Sequence, residues 1–307
     1  MPGQPGAEGG RVVVVTDSTA SLPRALVRER GLVVVPLQVV IGDEVLDEAL
    51  SEEEGAAGGA TPARVAEALR GHQRVSTSRP NPAAMGAVYA DLVADGATEV
   101  VAVHLSGEVS GTVESARVAA REAAVPVHVV DTRQVGVATG YAALSAVETL
   151  EAGGSAEEAA DAAARRAAAA TSYFYVDTLE FLRRGGRIGA GAALLGSALA
   201  VKPLLSITDG VVGPLERVRT TTKALARLEE LAVRDALTAV GRSGSPVEVG
   251  VAHLANPERA EQLAAHLAAR LGDDPGLVGQ QVRCVELGAV LGAHVGPGMV
   301  AVCVSPL

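Results

Sequence analysis

Hydroxyl groups, glycines, one histidine and a set of arginines occur in this chain with the spacing of an anion site. "STSRPNP" places Ser76, Thr77 and Ser78 ahead of a proline. Proline favours extended backbone before it, so these hydroxyls project outward instead of bonding back into a helix. "SGEVSGT" supplies Ser106, Ser110 and Thr112 with Gly107 and Gly111. The glycines let backbone N–H groups approach a ligand, at the start of a helix whose dipole favours negative charge. The same spacing also fits a glycine-bearing turn in which Ser110 is an ordinary N-cap. His294, in "AHVGPG", lies between a small-residue run and a turn, where neither helix nor strand patterning accounts for it.

Arg187 follows Gly185 and Gly186, after a helix ending at Arg184. A guanidinium on such a loop is shaped to grip a carboxylate or phosphoryl group bidentately, while Arg183 and Arg184 already serve the helix dipole. Arg217 and Arg219, with Lys223, form a second basic cluster, and the two clusters suit a docking or phosphate-facing surface. Asp17 and Ser18 in "TDST" follow an apolar strand, at the end where ligands of open α/β sheets bind. Capping of a helix at Leu22 accounts for them equally well. "GAGAALLG" (189–196) lacks the preceding strand of a dinucleotide fingerprint, and neither GxxxxGK[ST] nor GxSxG occurs. No cofactor and no metal are expected.

These groups must be positioned by an alternation of short β-branched runs and amphipathic stretches, the pattern of a βαβ domain. Strands are expected at 12–15, 32–42, 100–105 and 127–131, as four strands in a parallel-type alternation. The acidic, glycine-rich 47–60 suits a mobile surface loop. Thr61-Pro62 and Asn81-Pro82 are N-cap and first-turn pairs. Gly153-Gly154 followed by Ser155 and Glu158 gives a helix stop and a capping box. Beyond it come a strand at 172–176, a hairpin about Asp209-Gly210, a long helix near 221–240, an Asn256-Pro257 helix start and three more strand-like runs. The hairpin makes this second sheet mixed. The chain therefore divides into a disordered tail (1–10), an N-terminal parallel α/β domain (11–153) and a C-terminal α/β domain with a mixed sheet (154–307).

Composition excludes several classes of function. A chain of 307 residues accommodates two domains with their own cores. Trp is absent and aromatics make up only 2%, which removes base stacking as a binding mode. With 26 Lys and Arg against 36 Asp and Glu, the net charge of -10 repels phosphate backbones and anionic membrane surfaces. Nucleic acid is not an expected partner. Cys284 and Cys303, each inside an apolar run and without metal-ligand spacing, fit core thiols of a reducing compartment. No apolar run reaches a membrane-spanning length and the first ten residues lack a leader pattern, so a cytoplasmic protein that is not integral to a membrane is expected.

Six segments resemble the DegV family in that family's order: "VVVVTDSTASLP" (12–23), "STSRPNP" (76–82), "LSGEVSGTVESA" (105–116), "TLEFLRRGGRI" (178–188), "VKPLLSITDGVVGPLERVRTTTKA" (201–224) and "GAHVGPGMVAV" (292–302). The resemblance implies a two-domain fold and a fatty-acid-binding subunit of a fatty acid kinase system, serving phospholipid metabolism. Such a protein is not catalytic itself; it presents a bound acyl carboxylate to a separate kinase catalytic subunit. Thr77, Ser78, Ser110, Gly111, Thr112 and His294 would hold the carboxylate, Arg187, Arg217 and Arg219 would face the kinase or phosphate, and Asp17 and Ser18 would lie near the site. His104 replaces a usually apolar strand residue and counts as local variation. Arg79, Gly107, Val113 and Thr132 also depart from the family pattern, at the mouth of the site.

A long-chain fatty acid asks for an apolar tunnel near the domain interface, because about 14 methylenes at about 0.8 kcal/mol each offer on the order of 11 kcal/mol before ordering costs. The alternatives are a phosphoryl-transfer or other small-molecule enzyme using Asp17, His294 and Arg187, and a lipid-responsive regulator.

Overall fold

The structure is a computed structural model that describes residues 10–78, 81–188, 202–244, 246–272 and 282–307. The tail at 1–9, Arg79 and the 189–196 segment lie outside the described residues. In chain order the first half contains β1 (Arg11–Asp17), α1 (Arg24–Glu29), β2 (Val33–Val35), β3 (Gln38–Ile41), β4 (Glu44–Asp47), α2 (Glu52–Ala56), α3 (Pro62–Arg70), β5 (Val75–Thr77), α4 (Pro82–Ala94), β6 (Ala97–His104), α5 (Thr112–Glu122), β7 (Val127–Asp131) and α6 (Val137–Glu151). The second half contains α7 (Ala156–Ala169), β8 (Thr171–Tyr175), α8 (Glu180–Arg184), β9 (Lys202–Thr208), β10 (Val211–Val218), α9 (Thr221–Ser243), β11 (Val247–His253), α10 (Pro257–Gly272), β12 (Val282–Glu286), α11 (Ala289–Val295) and β13 (Val300–Pro306).

A four-stranded parallel sheet, β2-β1-β6-β7, forms the N-terminal part. Its central strands are runs of valine and alanine because helices cover both faces: α4 and α5 on one, α6 and α7 on the other. The expected strand at 32–42 is broken at Pro36. Its first part is β2, and its second is β3 of a separate antiparallel sheet, β4-β3-β5. Proline has no N–H to donate to a ladder, which makes a switch between sheets cheap there.

A six-stranded mixed sheet, β10-β9-β8-β13-β11-β12, forms the C-terminal part, with the Asp209-Gly210 hairpin joining β9 and β10. α9 and α10 pack on one face, and α6 and α7 contact the other. α6 therefore lies between the two sheets, and Val137 through Leu144 are all buried. Its near-uniform apolar sequence follows from that position, since a helix buried all round has no polar face to offer. The N-caps at Thr61, Asn81 and Ser155 form as expected, Ser155 with a full capping box.

Three local expectations are corrected. Residues 47–60 hold α2, and Glu48 within them is buried, its backbone bridged to Ala60. Asp17 caps a short turn of 3-10 helix at 18–20; α1 begins later, after Pro23. Cys303 is a core thiol, but Cys284 is exposed on the edge strand β12, where one side chain in two faces outward.

Candidate functional site

α11 packs on α3, β3 and β5, and this docking brings the C-terminal part of the chain against the small antiparallel sheet. His294 lies in the last turn of α11, a helical position that sequence patterning did not reveal. Thr77 ends β5, and its Oγ1 is 2.9 Å from His294 Nε2. Burial, and after it the charge of Arg187, pushes the His294 imidazole down to about 4, so the ring is neutral at neutral pH. Nδ1 is buried and has no partner among the described residues. An unpartnered acceptor costs less than an unpartnered N–H, which puts the proton on Nε2 and leaves the Thr77 O–H free for a ligand.

Ser110 Oγ lies 2.8 Å from Thr112 Oγ1 and accepts the Thr112 N–H at 3.4 Å. With the Thr112 hydroxyl as donor, the Ser110 proton is left to face the cavity. Gly111 is the N-cap of α5 and Thr112 is fully buried, so these two support Ser110 and do not line the cavity themselves. Ser78 does line it, yet its hydroxyl donates to Gln38 Oε1 at 2.8 Å. Ser106 donates to Gly210 O at 2.8 Å, which ties the serine-glycine loop to the hairpin and removes Ser106 from the anion donors. Arg187 donates from Nε to Val109 O at 3.1 Å and from Nη1 to Gly185 O at 2.5 Å, so its guanidinium is fixed beside the cavity by two carbonyls.

Thr77, Ser78, Ser110, Arg187 and His294 thus meet on one cavity of about 70 Å³, whose other walls are leucine, valine and phenylalanine side chains. A second, almost wholly apolar cavity of about 60 Å³ shares Val135, Phe174, Leu291 and Val295 with it. A polar mouth opening into apolar space suits an amphiphile with one anionic end. The Thr77 and Ser110 hydroxyls, the first backed by the uncharged imidazole, satisfy such an anion without adding a second buried charge.

Asp17 and Ser18 line a different cavity, with Glu48. Asp17 Oδ2 accepts the Leu105 N–H at 3.1 Å and lies 3.0 Å from His104 Nδ1, while Oδ1 accepts from Thr19 N and Oγ1. His104, taken as local variation, is therefore the buried partner of Asp17, and both are fully enclosed. Ser18 Oγ accepts the Leu37 N–H at 3.0 Å. Glu48 Oε1 accepts the Val290 N–H at 3.1 Å, at the first turn of α11. Burial, reinforced by Asp17, pushes the Glu48 carboxyl up to about 7 against its hydrogen bonds to Ser18, Val290 and Ala289. This network supports the base of the helix that carries His294. Asp17 is absent from the cavity of His294 and Arg187, so the acid, base and cation of the enzyme alternative are not assembled.

Arg217 and Arg219 are exposed on β10 and just beyond it, outside both chambers. Phe174, Leu291, Gln38 and Glu48 escaped sequence reasoning. The first two follow ordinary strand and helix patterns, whereas a glutamine opening the apolar run of β3 was a readable signal.

Among the described residues no helix is long and apolar enough to cross a membrane. Residues 11–307 match the family described as "Uncharacterised protein, DegV family". A DegV domain-containing protein of Streptomyces coelicolor is 50% identical over 294 residues, covering 96% of this chain and 98% of that one. The crystal structure of DegV from Bacillus subtilis, described as a fatty acid binding protein, aligns with a TM-score of 0.84 at 30% identity, covering 97% of this chain and 100% of that one. A DegV family protein of Thermus thermophilus, described by its fatty acid binding, gives a TM-score of 0.80 at 32% identity over the same shares.

Proposed function

This chain belongs to the DegV family, and from that premise we propose that it binds a long-chain fatty acid, with the carboxylate at Thr77, Ser110 and His294 and the acyl chain in the apolar chambers. The observation that carries the reading is the neutral His294 paired with Thr77 at the mouth of an otherwise apolar cavity. A carboxylate buried there gains the Thr77 and Ser110 hydroxyls as donors, and burying a charge without such donors is costly. Arg187, at the same mouth, supplies long-range positive charge.

The finer reading is a carrier in the cytoplasm that does no chemistry itself. It presents the carboxyl to a kinase catalytic subunit, which makes the acyl phosphate. Exposed Arg217 and Arg219, with Arg187 at the mouth, are the surface such a kinase would meet. The N-terminal unit (11–153) supplies Thr77, Ser78 and Ser110 and the C-terminal unit (154–307) supplies Arg187 and His294, so the ligand lies at their junction.

Native mass spectrometry of the purified chain, followed by solvent extraction, tests the proposal. A stoichiometric fatty acid of about 14 to 18 carbons, a length whose burial outweighs the ordering costs, supports it. An empty chain that takes up no added fatty acid, or one that retains a phosphorylated metabolite, overturns it.

A further inference from the structure

The mixed sheet divides its side chains sharply between its faces. On one, Val247, Val249, Val251, Val300, Val302 and Val304 form a core cluster with the residues of α9 and α10. On the other, the register pairs Gly250 with Cys303 and Cys303 with Ser172, and one step along it pairs Ala252 with Ala301 and Ala301 with Phe174. Residues two apart share a face, so Gly250, Ala252, Ala301 and Cys303 form a shallow trough bordered at its β8 side by Ser172 and a single large ring, Phe174. All of them line the inner apolar chamber.

Two large side chains, Phe174 and Leu291, stand among the four residues shared by the mouth chamber and the inner chamber. Leu291 lies one helical turn before His294 on α11, so the helix that offers the imidazole also roofs the constriction. The far end is closed by α6: a methyl group on Gly250 would come within 2.5 Å of Val137 Cγ1 and 3.0 Å of the Tyr141 hydroxyl.

We infer that Phe174 and Leu291 form a constriction inside the acyl cavity and that the small-residue trough of Gly250, Ala252, Ala301 and Cys303 beyond it selects the length and shape of the bound chain. The inference rests on the fatty-acid reading of the site. A short acid stays in the mouth chamber. A longer straight tail passes the ring into the trough and ends against Val137, and a bend at the constriction meets the Phe174 ring.

Affinities for saturated acids of about 10 to about 20 carbons, measured for the full chain, should rise by about fourfold per methylene while the tail gains trough contacts, and stop rising where α6 closes it. Ala301→Leu fills the trough and should lower affinity for the longest acids by tenfold or more, leaving the shortest within about twofold. Phe174→Ala should raise the preference for a cis-unsaturated over a straight acid of equal length by about fivefold, a ratio that survives a general loss of stability. Should Ala301→Leu fail to fold, that ratio alone decides. Equal losses for every length in Ala301→Leu, or an unchanged ratio in Phe174→Ala, overturn the inference while leaving the fatty-acid reading intact. Failure of the unaltered chain to bind any acid overturns the functional reading itself.

Discussion

His294 Nε2 and Thr77 Oγ1 meet at 2.9 Å across 217 residues of chain, the helix α11 of the second half having docked on the three-stranded sheet of the first. The contact joins a neutral ring to a hydroxyl at the threshold of an apolar cavity. The two groups satisfy one another there, and the Thr77 O–H is the donor left over for a polar group that arrives.

Ser110→Ala removes a donor from this mouth and, with it, the partner of the buried Thr112 hydroxyl. Fatty-acid affinity should fall by roughly tenfold, the worth of one hydrogen bond to a charged group. Titration with a fluorescent fatty acid reads it directly, and an unchanged affinity would take Ser110 out of the site.

Gly185→Ala tests the ring position without altering the ring. Gly185 has helical backbone angles that alanine adopts freely, but the added methyl would lie 2.5 Å from His294 Nδ1. Displacing the imidazole should weaken binding about as much as His294→Ala does. Wild-type affinity in Gly185→Ala would show that the ring has no fixed role.

The buried acid and base have opposite effects on the pH dependence of stability. Glu48 is raised from 4.5 to about 7 by burial, so its contribution is complete below about 4.5 and is lost as pH rises towards 7. His294 is lowered from 6.5 to about 4, so stability is lost as pH falls from about 6.5 to about 4, where only the unfolded chain takes up the proton. Between about 4.5 and 6.5 the two cancel. Glu48→Gln leaves only the histidine, and its unfolding free energy should climb with pH by up to about 1.4 kcal/mol per unit in that window relative to the wild type. Parallel urea-melt profiles for the two proteins would refute this.

Asp17→Ala strands His104 and the Thr19 and Leu105 N–H groups in a fully buried place. The loss should be about 3 to 5 kcal/mol, as for other broken buried pairs. Chemical denaturation measures it, and folded Asp17→Ala should keep its fatty-acid affinity because Asp17 does not line that cavity. A selective loss of affinity with full stability would return Asp17 to the site.

Arg187→Ala and Arg219→Ala separate anchoring from docking. Arg219→Ala should reduce phosphorylation of the bound acid by a partner kinase and leave lipid binding intact. Arg187→Ala should do the same and also loosen the loop at Val109 and Gly185, so a moderate loss of lipid affinity accompanies it. Equal losses of phosphorylation and lipid binding at Arg219 would mark its role as structural.

The sequence by itself determined the elements whose causes are local. Thr61, Asn81 and Ser155 cap helices through N–H groups two or three residues away, Asp209-Gly210 turns a hairpin, and the valine runs of β1 and β6 announce strands covered on both faces. The DegV-like segments announced the family in the same way, motif by motif. Only the tertiary structure decided that Pro36 sends one apolar run into two sheets, that Glu48 leaves an acidic stretch to brace α11, that His104 is the partner of Asp17, and that Ser106 is committed to Gly210 while Ser110 is not. It alone placed Phe174 between two chambers. Periodicity, caps and turns depend on neighbours a few residues apart, whereas a pairing such as Thr77 with His294 depends on how whole elements pack, and residue spacing carries no record of that.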